Sequence, residues 1–337
     1  MTTLKKVAEY AGVSTSTVSR VIAGKPYVKE ETRQRVLKAV QELSYSPNIL
    51  AKSLKVGRTN TIALMVPSIQ NQMFPIVTRG VEDTARKHGY TVILCNTDEN
   101  IEVEKEYIRK LQNRWIDGFI VCSMLPDSDH IRKLKADGFP VVLTSRYYGD
   151  SIDAVIIDNY RAAYEAVSYL IITGHKKIAI ALGRRQLSLY QQRLEGYLDA
   201  LKDHGLPIDE RLIMNETNGT NSFYELTQKL LDGPVIPDAI FATSDPKAIV
   251  VVRAIKDRGF RIPEDISVLG IDNIEMSAFM EPPLTTVSQP LYEMGALAAK
   301  KLIDLIDHKN KSEEPPAPVV DVLETELIIR KSTARRK

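Results

Sequence analysis

The sequence predicts a small all-α helix-turn-helix head followed by an α/β core of two doubly wound parallel-sheet subdomains. Three observations predict it. Within residues 3–45, apolar side chains recur three and four positions apart, the spacing of one helix face. From residue 60 onward, short continuous apolar runs alternate with amphipathic stretches, the pattern of a parallel sheet covered on both faces. Charge is also unevenly placed. Residues 1–60 hold eleven Lys and Arg against four Asp and Glu, a net of +7, while the remainder is −5. A basic head on a mildly acidic body suits a head that meets a polyanion and a body that does not. At 337 residues the chain is longer than one hydrophobic core usually organises.

In the head, Leu4, Val7, Ala8 and Ala11 form the first apolar face, and Gly12 stops that helix. Ser14 is a good N-cap for the second, because its hydroxyl can satisfy an orphan N–H. There Val18, Val21 and Ile22 turn inward, which leaves Thr15, Ser16, Ser19 and Arg20 on the outer face. The bland reading of that face is a solvated helix. The sharper one is a helix laid against a polar partner: Arg can donate twice to a guanine edge, and Ser or Thr can meet several base edges. The +7 charge of the head favours the second. A third helix runs from about Glu30 to Leu43 with Val36, Leu37, Val40 and Leu43 on one side. Residues 1–45 form the head. Residues 46–59 form a linker whose helical middle is opened by Pro47 and ended by Gly57, with few apolar side chains (Ile49, Leu50, Leu54). So short a helix is marginal alone and needs a partner to form.

In the core, "TIALMVP" precedes a helix at about 75–88 and then "YTVILCN"; "GFIVCS" precedes a helix at about 128–137 and then "PVVLTS". "AVIID" precedes a helix at about 160–173 and then "KIAIALG". A helix at about 189–204, "AIFATS", another helix and "ISVLGID" follow. The tail adds a helix at about 290–307 and a late strand, "LETELIIR". These divide the core, 60–337, into an N-subdomain of about 60–157 plus 290–318 and a C-subdomain of about 158–287 plus 319–330, meeting near 157–160.

Other chemistries lack support. Cys95 and Cys122 lie in apolar runs and read as reduced, buried strand residues; no CxxC is present. "DSDH" at 127–130 reads as a solvated helix start rather than a metal site, and His88, His175 and His204 as cations at the negative ends of helices. No GxGxxG follows a strand, and no P-loop, GxSxG or HExxH occurs, so no cofactor and no catalytic residues are expected. Neither a signal-peptide apolar stretch nor a membrane-length run is found, so a cytoplasmic protein is expected.

The segments "VAEYAGVSTSTVSRVIAGK" and "VKEETRQRVLKAVQELSYSPNILAKSLKVGRT" resemble the lactose repressor/galactose repressor (LacI/GalR) family. The resemblance continues through "GVEDTARKHGYTVILCNTDEN", "QQRLEGYLDAL", "IFATSD", "ISVLGIDN" and "PPLTTVSQP", and so spans essentially the whole chain. It implies that Thr15, Ser16 and Arg20 match base-reading positions of a recognition helix, and that Ser14, Thr17, Ser19 and Tyr27 match phosphate-contacting ones. Leu54 matches a hinge-helix leucine wedged into the minor groove, with Lys55 beside it. The resemblance further implies a core like periplasmic sugar-binding proteins, with a ligand cleft between the subdomains at the carboxyl ends of the strands. Phe74 matches a cleft-lining aromatic, Arg193 an arginine that binds ligand hydroxyls or carboxylate, and Asp272 an acidic ligand contact. Gln289 lies on the last crossover. The alternative for Arg193 and Asp272 is a structural bridge across the cleft.

Four positions depart from the family pattern. Lys6 stands where an acidic residue often completes a capping box with Thr3, and Lys29 where a capping Ser is common, so the first and third helices should be less well capped. Ser145 replaces a common Asp and Ser244 a common Asn, which makes an anionic ligand more plausible than sugar analogy alone. The resulting expectation is a homodimeric, effector-controlled regulator, commonly a repressor. Its partners would be double-stranded operator DNA and a small-molecule effector (a sugar, sugar acid or related metabolite) that shifts the subdomain angle. A solute-binding protein of transport or chemotaxis shares the core but has no use for residues 1–60. An α/β enzyme would need a catalytic constellation that the sequence lacks.

Overall fold

The structure, a computed structural model, describes residues 3–22, 24, 26–45, 58–112, 116–149, 151–216, 222–311 and 317–336. The linker helix with Leu54 and Lys55 lies outside the described residues. The chain separates into two compact units, residues 1–59 and 60–337.

The first unit packs α1 (Leu4–Ala11), α2 (Thr15–Ile22) and α3 (Glu30–Glu42) around Val7, Ala8, Ala11, Val18, Val21, Val36 and Ala39. Thr3 caps α1 by accepting from the Lys6 N–H, and Gly12 ends it in the left-handed region at φ 63°. Arg35 reaches back from α3 to the carbonyls of Ala11 and Gly12, fixing the turn into α2. Lys29 caps α3 with no side-chain bond, although Glu30 and Glu31 in its first turn suit the dipole. Leu37, expected on the core face, is instead 44% exposed. Ala39 takes that place, because 36, 39, 40 and 43 form the i, i+3, i+4, i+7 stripe and 37 falls beside it.

The second unit contains two six-stranded sheets among the described residues. The first collects β1 (Thr61–Val66), β2 (Thr91–Asn96), β3 (Gly118–Val121), β4 (Val141–Thr144) and β5 (Asp153–Ile157), with α4 (Met73–Lys87), α5 (Ile101–Leu111) and α6 (Asp129–Ala136) between them. The chain then crosses at Asp158 into α7 (Asn159–Ile172), β6 (Ile178–Leu182), α8 (Ser188–Asp203), β7 (Ile213–Asn215), α9 (Phe223–Leu231), β8 (Ala239–Ala242), α10 (Asp245–Asp257), β9 (Ser267–Asp272), α11 (Glu275–Phe279) and β10 (Thr285–Ser288). It crosses back at Gln289–Pro290 into α12 (Leu291–Asn310) and β11 (Val320–Leu323), and once more into β12 (Glu326–Ile328). The strand orders are β11-β5-β4-β3-β1-β2 and β12-β10-β9-β8-β6-β7.

The assignment of 319–330 to the C-subdomain needs correction. Val320–Leu323 pairs in parallel with β5 of the first sheet, and only β12 belongs to the second, where it runs antiparallel to β10. The single late strand of the sequence is therefore the ends of two strands with a crossing at residues 324–325. The sequence reading also passed over α5, β7, α9, α11 and β10.

All three crossings lie by the β5–β11 edge of one sheet and the β9–β10–β12 edge of the other. The opposite edges, β2 and β7, carry no crossing among the described residues. Each subdomain is backed by a close helix pair. A Cβ on Gly295 of α12 would fall 2.1 Å from the Val77 carbonyl of α4, and one on Gly196 of α8 would fall 2.3 Å from the Tyr160 carbonyl of α7.

Cys95 and Cys122 are free and buried, and burial pushes their thiols up to about 11 and about 12. His175 is not a helix-end cation. It is buried, bonded to the Leu170 carbonyl and the Ser267 hydroxyl, and burial lowers its pKa. His130 of "DSDH" is not solvated either: its Nε2 lies 2.6 Å from Oε1 of Glu104, a buried carboxylate that also accepts from the Ser123 hydroxyl.

Candidate functional site

On the head, α2 buries Val18 and Val21 and turns Thr15, Ser16, Ser19 and Arg20 to solvent. Ser14 accepts from the Thr17 N–H at 3.2 Å, which holds the start of the helix, and its hydroxyl also pairs with those of Ser16 (2.8 Å) and Thr17 (2.9 Å). These hydroxyls occupy one another within the protein and can rotate to an outside acceptor. Arg20 has no ion-pair partner among the described residues. Tyr27, in the loop before α3, is 92% exposed, an unusual position for an aromatic ring. The arrangement puts hydroxyl groups, one cation and a helix N-terminus on one exposed face.

On the core, four of the six expected ligand residues meet on the second subdomain. Arg193 projects from α8 and is 3% exposed. Its Nε donates to Asn159 Oδ1 at 2.9 Å and its Nη1 to the Thr243 carbonyl at 2.5 Å, beside Ser244. Burial lowers its pKa, opposed by the charge of Asp272. Asp272 ends β9 at φ 133°, a region that costs a non-glycine residue about 1–3 kcal/mol. It is 2% exposed; Oδ1 accepts from Gln289 Nε2 at 2.6 Å, and Oδ2 is buried with no partner. Burial first, then the neighbouring charge of Asp245, pushes its carboxyl up to about 7. Asp245 is itself raised to about 6 by burial, against hydrogen bonds from Thr286 and the Ile274 N–H. Arg193 and Asp272 stand on the same subdomain and share no hydrogen bond, so they do not bridge the cleft. Asp272 thus combines a strained backbone, a buried carboxylate oxygen without a hydrogen-bond partner among the described residues, and a raised pKa.

The other two residues lie on the first subdomain. Ser145 ends β4 at φ 69° and is half buried. Phe74 is buried in the first turn of α4, where it joins the core and borders a groove of about 470 Å³ with Val66, Ile69, Pro75, Thr78, Arg79, Glu82 and Leu94. No recorded contact joins either residue to the Arg193 group.

Sequence reasoning missed two sets of residues. Arg146, one residue past Ser145 and 6% exposed, grips Glu99 with two hydrogen bonds of 2.5 and 2.9 Å. Glu99 also receives Arg184 from the second subdomain at 3.2 Å, and Ser188 donates to the Tyr147 carbonyl at 3.0 Å. Both contacts join the two subdomains. The arginines hold the Glu99 carboxyl below its usual range despite burial. The second missed set is Lys247 with Tyr190. Lys247 Nζ donates to Tyr190 Oη at 2.9 Å and Ser244 Oγ at 3.1 Å. Only the opposite charges at 99, 146 and 184 were visible beforehand, since their partners are far apart along the chain.

Residues 3–48 match the family described as bacterial regulatory proteins, lacI family. Residues 59–320 match the periplasmic binding proteins and sugar binding domain of the LacI family. The chain is similar to the HTH-type transcriptional regulator RegA of Clostridium saccharobutylicum, at 37% identity over 98% of this chain and 99% of that protein. It superimposes on a complex of the transcriptional regulator CelR with cellobiose (33% identity, TM-score 0.74, 98% of this chain and 100% of that one). It also superimposes on the lac repressor dimer bound to operator and the anti-inducer ONPF (26% identity, TM-score 0.87, 99% of each chain).

Proposed function

The chain belongs to the LacI family of bacterial transcription regulators, and from that premise we propose how its residues divide the work. It is a sequence-specific DNA-binding regulator, a repressor by type, that acts as a homodimer on operator DNA and answers to a small-molecule effector. The reading of α2 carries the proposal: one face is closed into the head core, and the other presents four exposed polar residues, including a cation with no partner among the described residues.

Thr15, Ser16 and Arg20 read base edges, while Ser14, Thr17, Ser19 and Tyr27 hold phosphates. Leu54, with Lys55 beside it, enters the central minor groove. Two-fold symmetry of the dimer would match a near-palindromic site. The exposed Ile69 and Leu94, flanking the groove at Phe74, together with the exposed Met276 and Phe279, support a self-association face.

The cleft holds the effector, a sugar, sugar acid or related metabolite, through Arg193, Ser244, Asp272 and Gln289 on one wall and Ser145 on the other, with Phe74 at its base. Closure about the three crossings would change the spacing of the linkers and so the affinity for DNA, a coupling of two sites through a two-state element. No catalytic role is assigned, and the place of action is the cytoplasm. Selecting duplexes from a random-sequence pool with the purified full chain tests the reading. Enrichment of a near-palindrome is expected; an unenriched pool would refute sequence-specific binding.

A further inference from the structure

We propose that the effector carries an oxyanion, a carboxylate or a phosphate, and that Lys247 is the residue that receives it. This rests on the cleft being the effector site and adds the charge of the ligand and the side chain that reads it.

Lys247 sits in the first turn of α10. A helix N-terminus presents unpaired N–H groups and a positive dipole end, which disfavour a cation and favour an anion. Ser244 is the N-cap residue, yet its side chain makes no capping bond and accepts from Lys247 Nζ instead. The ammonium lies 4.6 Å from the centre of the Tyr190 ring and 5.6 Å from that of Phe223. Tyr190 is seated against the end of β6, where a Cβ on Gly183 would fall 2.4 Å from its ring. The Arg193 guanidinium carbon is 5.9 Å from the same ring, so two cations share one aromatic. Neither has a carboxylate within 4.0 Å among the described residues.

The charge that bears on both is Asp272. Its carboxyl is held up to about 7, so near neutrality it is an incomplete counter-charge. Its Oδ2 is buried and unpartnered on the adjoining strand end, an independent sign that a ligand belongs here. A neutral polyol would satisfy Asp272 but bring no charge to Lys247, since the buried Asp272 and Asp245 carboxylates already act on Arg193. An oxyanion bound by Lys247 at the start of α10, where Pro246 has no N–H to offer, brings that charge, with ligand hydroxyls or a protonated Asp272 completing the set.

The test is thermal unfolding of the full chain in inorganic phosphate, galacturonate and galactose, each at ionic strength matched with chloride. At least one of the two anions should raise the melting temperature beyond chloride. Lys247→Met should require about tenfold more of that anion or worse, and Lys247→Arg should retain most of the response. Phosphate and galacturonate separate the two sources of the oxyanion. Absence of any anion response beyond chloride overturns the proposal. So does an equal response in Lys247→Met, which would place the anion on the basic head or elsewhere. A galactose response that Asp272→Asn abolishes and Lys247→Met spares also overturns it, while leaving the cleft as the effector site. Responses that survive both substitutions would reject the cleft itself.

Discussion

Arg20 and Asp272 show how single residues separate the two activities. Arg20 has no ion-pair partner among the described residues and is exposed, so its removal should cost the fold little and DNA reading much. Arg20→Ala should weaken binding of a selected duplex by ~1–3 kcal/mol and of a scrambled duplex by clearly less, as measured by fluorescence anisotropy. Asp272 predicts a pH dependence of known sign. Its folded pKa, about 7, lies above the ordinary carboxyl value of 3.8, so its contribution to stability is complete below the lower value. That contribution disappears as pH rises through about 7. Melting temperatures of the ligand-free protein should therefore fall between pH 5.5 and 8 more steeply than those of Asp272→Asn, and parallel curves would remove the raised carboxyl from the account. Arg193 and Asp272 were legible because each sits in a recognisable run, "RLEG" and "GIDN". Lys247 was not: a lysine in the third position of a helix reads as solvated until the fold brings Tyr190, 57 residues away, onto it.

At the scale of elements, close packing and capping carry separate predictions. Gly295 lets α12 lie against α4, and an added Cβ meets backbone rather than a movable side chain. Gly295→Ala should destabilise the core by about 1–3 kcal/mol in urea unfolding. Lys29→Ser supplies the missing acceptor at the start of α3 and should stabilise the head by ~0.5–1 kcal/mol, seen as slower hydrogen exchange along that helix. The elements legible in the sequence were those with a long period or a full apolar run, such as α8 or β1. The three-residue strands β7 and β12 carry too few positions for any period, and α9 follows a polar stretch that masks its start. Leu37 was misread because its neighbours Val36 and Val40 already define the stripe from which it is displaced by one position.

The molecule as a whole joins a basic reader to a ligand-gated body, and its behaviour should reveal both. Phosphate contacts make operator affinity fall steeply with salt, by about 0.9 log units per log unit of salt for each phosphate neutralised. The Arg184–Glu99 contact is one tie between the subdomains. Arg184→Ala and Glu99→Gln should shift ligand-free operator affinity in the same direction, and the double variant should shift it no further than Glu99→Gln alone. Additive shifts would mean that the two residues do not act as one tie. The two-subdomain plan was legible from the alternation of strands and helices, whereas this tie depends on three charged loops that only the tertiary fold assembles. The most direct test of the central claim is an anisotropy titration of a selected operator and a scrambled duplex, with and without a cleft ligand identified by thermal shift. The account predicts that the operator binds at least about 10³-fold more tightly. It also predicts that the ligand changes operator affinity by about 5–150-fold while leaving the scrambled duplex nearly unchanged. Equal affinity for the two duplexes, or an operator affinity indifferent to the ligand, would contradict it.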